Sequence, residues 1–294
     1  MKKTTTAFLT LLLALLFIVG CGAPAVDNGV DDEPEIEQRI ISLMPSNTEI
    51  LYALGLGDSV VGVTDLCNYP PEMEEAVAAG RIQRVGDAFS VNEELIISLQ
   101  PTLVVFGYST DAAQAVVQRL NDLGIATEVI YPQNIEETLA SIVRLGEITG
   151  TSERAAELVT GMEAAFEEVR AATAALADEE RPRVLMLLDL DYLFVAGPGT
   201  LEDELISVAG GLNAVDASGY SAVSEEAIID SKPDIILCGF PYRERIIAEK
   251  GSWQDLPAVQ AETVYDLNGD LINRPTPRLV EGLRLLLSLI QPEL

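Results

Sequence analysis

From Arg39 onward, short apolar runs rich in β-branched residues alternate with longer stretches whose apolar positions recur every three or four residues. Continuous runs of that kind suit buried strands and the longer period suits amphipathic helices, so the chain predicts parallel sheets with helical crossovers. Strands are expected at Arg39 to Leu43, Val60 to Thr64, Leu103 to Phe106 and Glu128 to Ile130, with a helix near 111–123. Ser46-Asn47-Thr48-Glu49 has the spacing of a capping box and predicts a helix to about Leu54, stopped by Gly55 and Gly57. Farther along, strands are expected at Arg183 to Leu188, Ile235 to Cys238 and Val264 to Leu267. A helix over 201–209 should end at Gly210-Gly211, and the last helix should run from about Thr276 to Ile290.

One part of this pattern occurs twice. Residues 92–108 and 224–240 align without a gap at a constant offset of 132, with six of seventeen positions identical. These are Glu93/Glu225, Glu94/Glu226, Ile96/Ile228, Ile97/Ile229, Pro101/Pro233 and Gly107/Gly239. Each copy reads as a short helix, a proline stop, an apolar strand, then glycine and an aromatic residue. Asn92 and Ser224 stand where side-chain oxygens can cap free backbone N–H groups, and the two glutamates behind each suit the positive end of a helix. Copies this far apart mean two similar α/β lobes rather than a solenoid of short repeats. Two lobes leave a cleft between them.

Residues 135–180 read as nearly all helix. After Gly150, a cap at Thr151 or Ser152 opens a stretch to about Ala177 in which Leu158, Met162, Ala165, Phe166, Val169, Ala172 and Leu176 fall on one stripe. Such a helix would span about 39 Å at 1.5 Å per residue, long enough to brace both lobes. The fold class is therefore α/β, with two lobes, each a mostly parallel sheet flanked by helices, joined by one long backbone helix.

Charge and composition narrow the chemistry. The 294 residues carry 18 Lys and Arg against 47 Asp and Glu, a formal charge of −29 that repels nucleic acid. There is no histidine, which removes the usual general base and the commonest zinc and haem ligand. No Gly-x-Ser-x-Gly motif occurs, and paired carboxylates on separate lobes would stand too far apart for glycoside cleavage. A secreted hydrolase is thus a distant alternative, and no cofactor is expected. Cys67 and Cys238 fall one in each lobe, either as free thiols or as a staple between lobes.

The N-terminus reads as an address. Lys2 and Lys3 precede an apolar stretch from Ala7 to Val19 that is short for a membrane span but suits a secretory signal. Ile18-Val19-Gly20-Cys21 resembles a bacterial lipobox, which implies that Cys21 receives lipid and becomes the mature N-terminus. The expected organisation is a signal peptide over 1–20, a flexible acidic tether over 21–38, an N-terminal lobe over 39–134, a connecting helical segment over 135–180 and a C-terminal lobe over 181–294. The protein is then extracytoplasmic and lipid-anchored, at the cell surface or in the periplasm.

Several motifs resemble one family. They include the segment from Arg39 to Glu49, Ala53 to Asp58, Val61 to Thr64, Asn68-Tyr69-Pro70-Pro71, Leu99-Gln100-Pro101, Leu205 to Leu212 and Arg274-Pro275-Thr276-Pro277-Arg278. In this order, over about 39–292, they look like the solute-binding proteins of ABC importers that handle vitamin B12 and ferric siderophores. That resemblance implies delivery of a cleft-bound ligand to a permease dimer and its ATPase, by a monomer. It also implies that Glu94 and Glu226 pair with arginines of the permease. Equivalent carboxylates on equivalent helix starts are what docking onto a two-fold partner requires, although helix-end compensation alone accounts for acids there.

The cleft should lie outside the carboxyl ends of the strands. Candidate lining is Ser46, Asn47, Tyr69, Phe89, Tyr108, Tyr220, Phe240 to Tyr242, Asp270 and Arg274. By resemblance to the B12-binding proteins, Tyr69 of the Tyr-Pro-Pro loop and the Asp270 and Arg274 pair contact ligand. Family tryptophans are replaced near two points by Ala88-Phe89 and Gly107-Tyr108. Aromatic loops suit a broad, partly apolar ring such as a corrinoid. A ferric siderophore is the alternative. One carrying negative charge would use Arg81, Arg84, Arg243, Arg245, Lys250 and Arg274 as the available cations, and a neutral hydroxamate suits the acidic chain as a near-neutral corrinoid does. Haem comes third because it would need tyrosinate or methionine ligation.

Overall fold

The first sheet grows outward from a strand that begins just after the acidic segment. In the computed structural model, which describes residues 37–87, 90–108 and 110–294, β1 (Ile40–Ser42) is wholly buried. The signal peptide, Cys21, nearly all of the tether and Phe89 lie outside the described residues. After β1 come α1 (Pro45–Ala53), β2 (Val60–Val63), α2 (Pro71–Ala78), β3 (Gln83–Arg84), α3 (Glu93–Ser98), β4 (Leu103–Phe106), α4 (Asp111–Asp122) and β5 (Ala126–Val129). All neighbouring strands are parallel, in the order β3-β2-β1-β4-β5. The sheet thus has five strands among the described residues where the sequence predicts four. The addition is the two-residue β3, too short to carry a period and held by its pairing with β2.

The second lobe begins with β6 (Arg183–Asp189) and β7 (Phe194–Ala196), followed by α7 (Leu201–Val208), β8 (Leu212–Asn213), β9 (Tyr220–Ala222), α8 (Glu225–Ser231) and β10 (Ile235–Cys238). Strands β6, β10 and β11 (Val264–Asp266) are parallel, as expected. Strands β7 and β9 add an antiparallel extension that the sequence does not announce, and β8 pairs with the start of β6. Helices α9 (Arg243–Glu249), α10 (Pro257–Gln260) and α11 (Leu279–Ile290) complete the lobe, α9 and α10 preceding β11 and α11 following it. Helix α11 starts three residues later than expected, since Pro275 and Pro277 hold the preceding stretch out of helix.

The repeat has the predicted anatomy. The Asn92 side chain accepts from the backbone N–H of Leu95 and that of Ser224 from Ala227. Ile96 and Ile228 are fully buried beneath these caps, and β4 and β10 take equivalent central places in their sheets.

Between the lobes, α5 (Ile135–Thr149) turns at Gly150, which takes a left-handed φ of 73°, into α6 (Ser152–Thr173). Gly146 admits this turn closely: a Cβ there would stand 2.4 Å from that of Ala155. Helix α6 ends at Thr173 rather than Ala177, giving 22 residues and about 33 Å. Its buried side is Ala155, Met162, Ala165, Phe166, Val169 and Thr173, so the stripe leaves Ala172 exposed and passes through a threonine instead. The Thr173 hydroxyl donates to the Val208 carbonyl at 3.0 Å and ties α6 to α7. With α5 on one side and α7 and α11 on the other, α6 lies inside one buried apolar cluster reaching from Ile50 and Leu51 to Leu205 and Leu283. Smaller clusters fill the far face of each sheet.

Cys67 and Cys238 are free and fully buried, and they belong to different clusters, so no disulfide staples the lobes. Burial, with Asp266 nearby, pushes the Cys238 thiol up to about 12.

Candidate functional site

In each sheet the chain reverses its direction of winding between two adjacent strands, β1 and β4 in the first, β6 and β10 in the second. Loops diverge at such switch points and leave a crevice at the carboxyl ends of the strands. Met44 and Ser46 follow β1, and Leu188 and Phe240 come from the ends of β6 and β10. All four line one cavity of about 300 Å³, with Tyr131, Gln133, Phe194, Glu202, Tyr220 and Asn273 among the rest of its wall. Of the expected cleft residues, Ser46, Tyr220 and Phe240 meet here. Phe240 and Tyr220 are 55% and 46% exposed, which leaves large apolar faces open to a ligand. No Lys or Arg stands among the described residues of this lining.

Glu202 is the acidic group of the described wall. Glu202, in the first turn of α7 behind the Thr200 cap, is only 2% exposed. The Tyr220 hydroxyl donates to its Oε2 at 2.7 Å. Burial pushes the Glu202 carboxyl above the usual carboxylate range, against hydrogen bonds from Tyr220, its own backbone and Thr200. The Tyr220 phenol is also pushed up, first by burial and then by the Glu202 charge and hydrogen bond. Asn273 Oδ1 is buried and finds no hydrogen-bond partner among the described residues.

Beside the cavity, joined to it through Asn273 and Pro275, lies a clasp between the lobes. Glu49 on α1 is 4% exposed and accepts from both nitrogens of the Arg278 fork at 2.7 Å. Arg274 reaches the same carboxylate at 3.0 Å, donates to Asn68 Oδ1 at 2.7 Å and pairs with Asp270 at 3.0 Å. Asn68 in turn donates to Asp270 Oδ2 at 3.2 Å. The Arg278 guanidinium also lies 3.8 Å above the centre of the Tyr69 ring, close enough for a cation–π contact. Burial opposes the Arg278 charge, yet Glu49 holds its pKa above the ordinary arginine range.

Tyr69, Asp270 and Arg274, expected at the ligand, are therefore brought together in the clasp beside the cavity. Tyr108 stands elsewhere, in a first-lobe pocket with Leu43, Phe106 and Arg119. It meets the cavity wall in an edge-on contact with Tyr131, ring centres 6.5 Å apart.

The capping box is corrected. Helix α1 starts at Pro45 behind Met44, with no side-chain cap, and Ser46 to Glu49 form a buried first turn. Asn47 donates to the carbonyls of Phe106 and Ile130 and is not cleft lining. Thr48 bonds Ser42, and Glu49 bonds the two arginines. Sequence reasoning also missed Tyr131, Phe194 and Glu202. Nothing in the local pattern singles out Tyr131, whereas Phe194 and Glu202 lie either side of the Gly197-Pro198-Gly199 turn that aims both inward.

Each glutamate pair of the repeat divides its work. Glu93 is held by the Arg119 fork at 2.6 and 2.8 Å, and Glu225 accepts from Ser252. The Arg119 hydrogen bond holds the Glu93 carboxyl below its usual range. Glu94 and Glu226 are exposed and join no ion pair among the described residues.

Comparison with known proteins agrees with this architecture. The family model of periplasmic binding proteins matches residues 40–271. The uncharacterized ABC transporter substrate-binding lipoprotein YvrC of Bacillus subtilis is 32% identical over the whole chain and 99% of its own length. A cobalamin-binding protein of Halobacterium salinarum is 30% identical over 86% of this chain and 68% of its own. A solved structure from Staphylococcus epidermidis, described as a possible iron-binding periplasmic solute-binding protein, is 30% identical. It superposes with a TM-score of 0.74 over 86% of this chain and 98% of its own. The chain belongs to the periplasmic binding protein family, as a solute-binding protein of an ABC importer.

Proposed function

We propose that this protein captures a corrinoid of the vitamin B12 type in the cavity between its lobes and hands it to an ABC permease dimer. The observation that carries the reading is the cavity wall. Phe194, Tyr220, Phe240 and Tyr131 offer broad aromatic surface, and no cation stands among its described lining. A near-neutral ring with amide edges suits such a wall, whereas an anionic siderophore needs converging Arg or Lys. Arg274, the nearest candidate cation, already meets Glu49, Asp270 and Asn68. The cobalamin-binding relative supports the same cargo, and the iron-binding relative supports the ferric siderophore alternative.

In this reading Tyr220 and Phe240 contact the ring, Tyr108 backs Tyr131, and Tyr69, Asp270 and Arg274 set the lobe spacing at the cavity edge. Phe89, outside the described residues, remains a proposed contact by position. Glu94 and Glu226 dock the permease, and lipid on Cys21 holds the protein to the membrane.

Titration calorimetry with cyanocobalamin, a ferric hydroxamate and a ferric catecholate tests the cargo. Cyanocobalamin should bind, and Phe240→Ala should weaken it about tenfold or more, because a buried aromatic face is worth roughly 1.5–3 kcal/mol. The melting temperature of the empty protein should stay put, since Phe240 is more than half exposed. Tight binding of a ferric siderophore with no heat from cyanocobalamin would replace the corrinoid with the siderophore.

A further inference from the structure

A carboxylate in the wall of an aromatic cleft is an unusual choice, because burying charge is costly unless the charge does something there. Glu202 is such a group. It is 2% exposed, it lines the cavity from the first turn of α7, and its carboxylate engages Tyr220 at 2.7 Å. Arginine and lysine are absent from the described wall, so no cation there cancels the charge. Asp203 and Glu204, its neighbours on α7, are occupied elsewhere: Asp203 accepts from Asn213 and Gly199, and Glu204 accepts from the N–H of Ile135.

We propose that Glu202 is a specificity-determining residue that admits ligands whose edge facing it carries hydrogen-bond donors and excludes those carrying carboxylate. Two effects act together. The Tyr220 proton is committed to Glu202, so the phenol oxygen presents only lone pairs to the cleft. A ligand amide N–H satisfies the phenol oxygen. A ligand carboxylate brings lone pairs against lone pairs and charge against charge at short range in a low dielectric, where repulsion is several times stronger than in water. Discrimination of this kind comes from a built-in repulsive element and not from extra attraction. Glu202 also acts as a positioning residue for the Tyr220 ring, which it holds by the hydroxyl.

The inference rests on the reading that a macrocycle occupies the cavity, and it is tested within each macrocycle separately. Cyanocobalamin is compared with each of its monocarboxylic acids, in which one peripheral amide is hydrolysed, and haemin with its dimethyl ester. Affinities are measured for the wild type, for Glu202→Gln and for Glu163→Gln, an exposed carboxylate on α6. Glutamine keeps the shape and can still accept from Tyr220. In the wild type the uncharged form of whichever macrocycle binds should win over at least one carboxylate form by about tenfold or more, and Glu202→Gln should shrink that ratio to about threefold or less. Glu163→Gln should leave the ratio where it was. A purely structural role would weaken charged and uncharged ligands alike and leave the ratio unchanged, which overturns the inference alone. If neither macrocycle binds, the inference falls together with the proposed cargo; if haemin alone binds, the corrinoid cargo falls and the ratio measured with haemin still decides the inference.

Discussion

Replacing Glu49 by alanine is expected to lower stability by roughly 3–5 kcal/mol, the usual cost of breaking a buried ion pair from one side. For a body of this size the melting temperature should fall by about 10 °C. The reason is the number of groups that depend on one carboxylate. Both its oxygens are used by Arg278, one is shared with Arg274, and only 2% of its side chain is exposed. Arg274 would still have Asp270 and Asn68. Arg278, with 16% of its side chain exposed, would keep the Tyr69 ring and the more distant charge of Asp270. The loss should therefore fall mainly on Arg278, and Glu49→Leu with Arg278→Met should recover much of it, as apolar replacement of buried pairs often does. Thermal and urea unfolding measure both variants. A Glu49→Ala protein that melts within about 2 °C of the wild type would mean that the clasp contributes little.

The second large effect concerns transport. Glu94→Ala combined with Glu226→Ala is expected to abolish uptake while the affinity for cargo stays nearly unchanged. Both carboxylates are exposed, lie one residue into equivalent helices and are free of ion pairs among the described residues, so removing them disturbs no internal contact. Truncating one partner of a charge pair buried at an interface costs about 2–5 kcal/mol, and two such losses would leave little complex at cellular concentrations. The neighbouring pair supplies the contrast. Glu93→Ala and Glu225→Ala remove contacts to Arg119 and Ser252 and should lower stability slightly without stopping uptake. Transport into vesicles carrying the permease, alongside calorimetry of the cargo, separates the two. Uptake that persists in the double variant, or cargo binding that collapses, would remove these residues from the docking surface.

The repeat was legible because each of its parts is local. Asn92 and Ser224 cap within three residues, Pro101 and Pro233 stop the helices, and the strands behind them are continuous apolar runs. The long connecting helix was legible for the same reason, with an error of four residues where Thr173 turns from the core stripe to Val208. Strands β3, β7, β8 and β9 are two or three residues long and exist by virtue of partners supplied from elsewhere in the chain. Glu49 was misread for an instructive reason. Ser46 and Glu49 have the spacing of a capping box, but Pro45 already opens the helix, and two arginines some 225 residues away take the carboxylate instead. Glu202 and Tyr220 meet because β9 folds back onto β7, which no local pattern announces.

The apolar cluster through which α6 passes has a consequence for how the molecule comes apart. Ile50 and Leu51 of one lobe, Phe166 and Val169 of the helix and Leu205 and Leu283 of the other lobe belong to the same buried cluster. Neither half can lose its structure without stripping the cover from the other. Heating therefore meets a single cooperative transition in place of two domain melts, and a molecule captured in the cavity is registered by the stability of all of residues 37–294 at once.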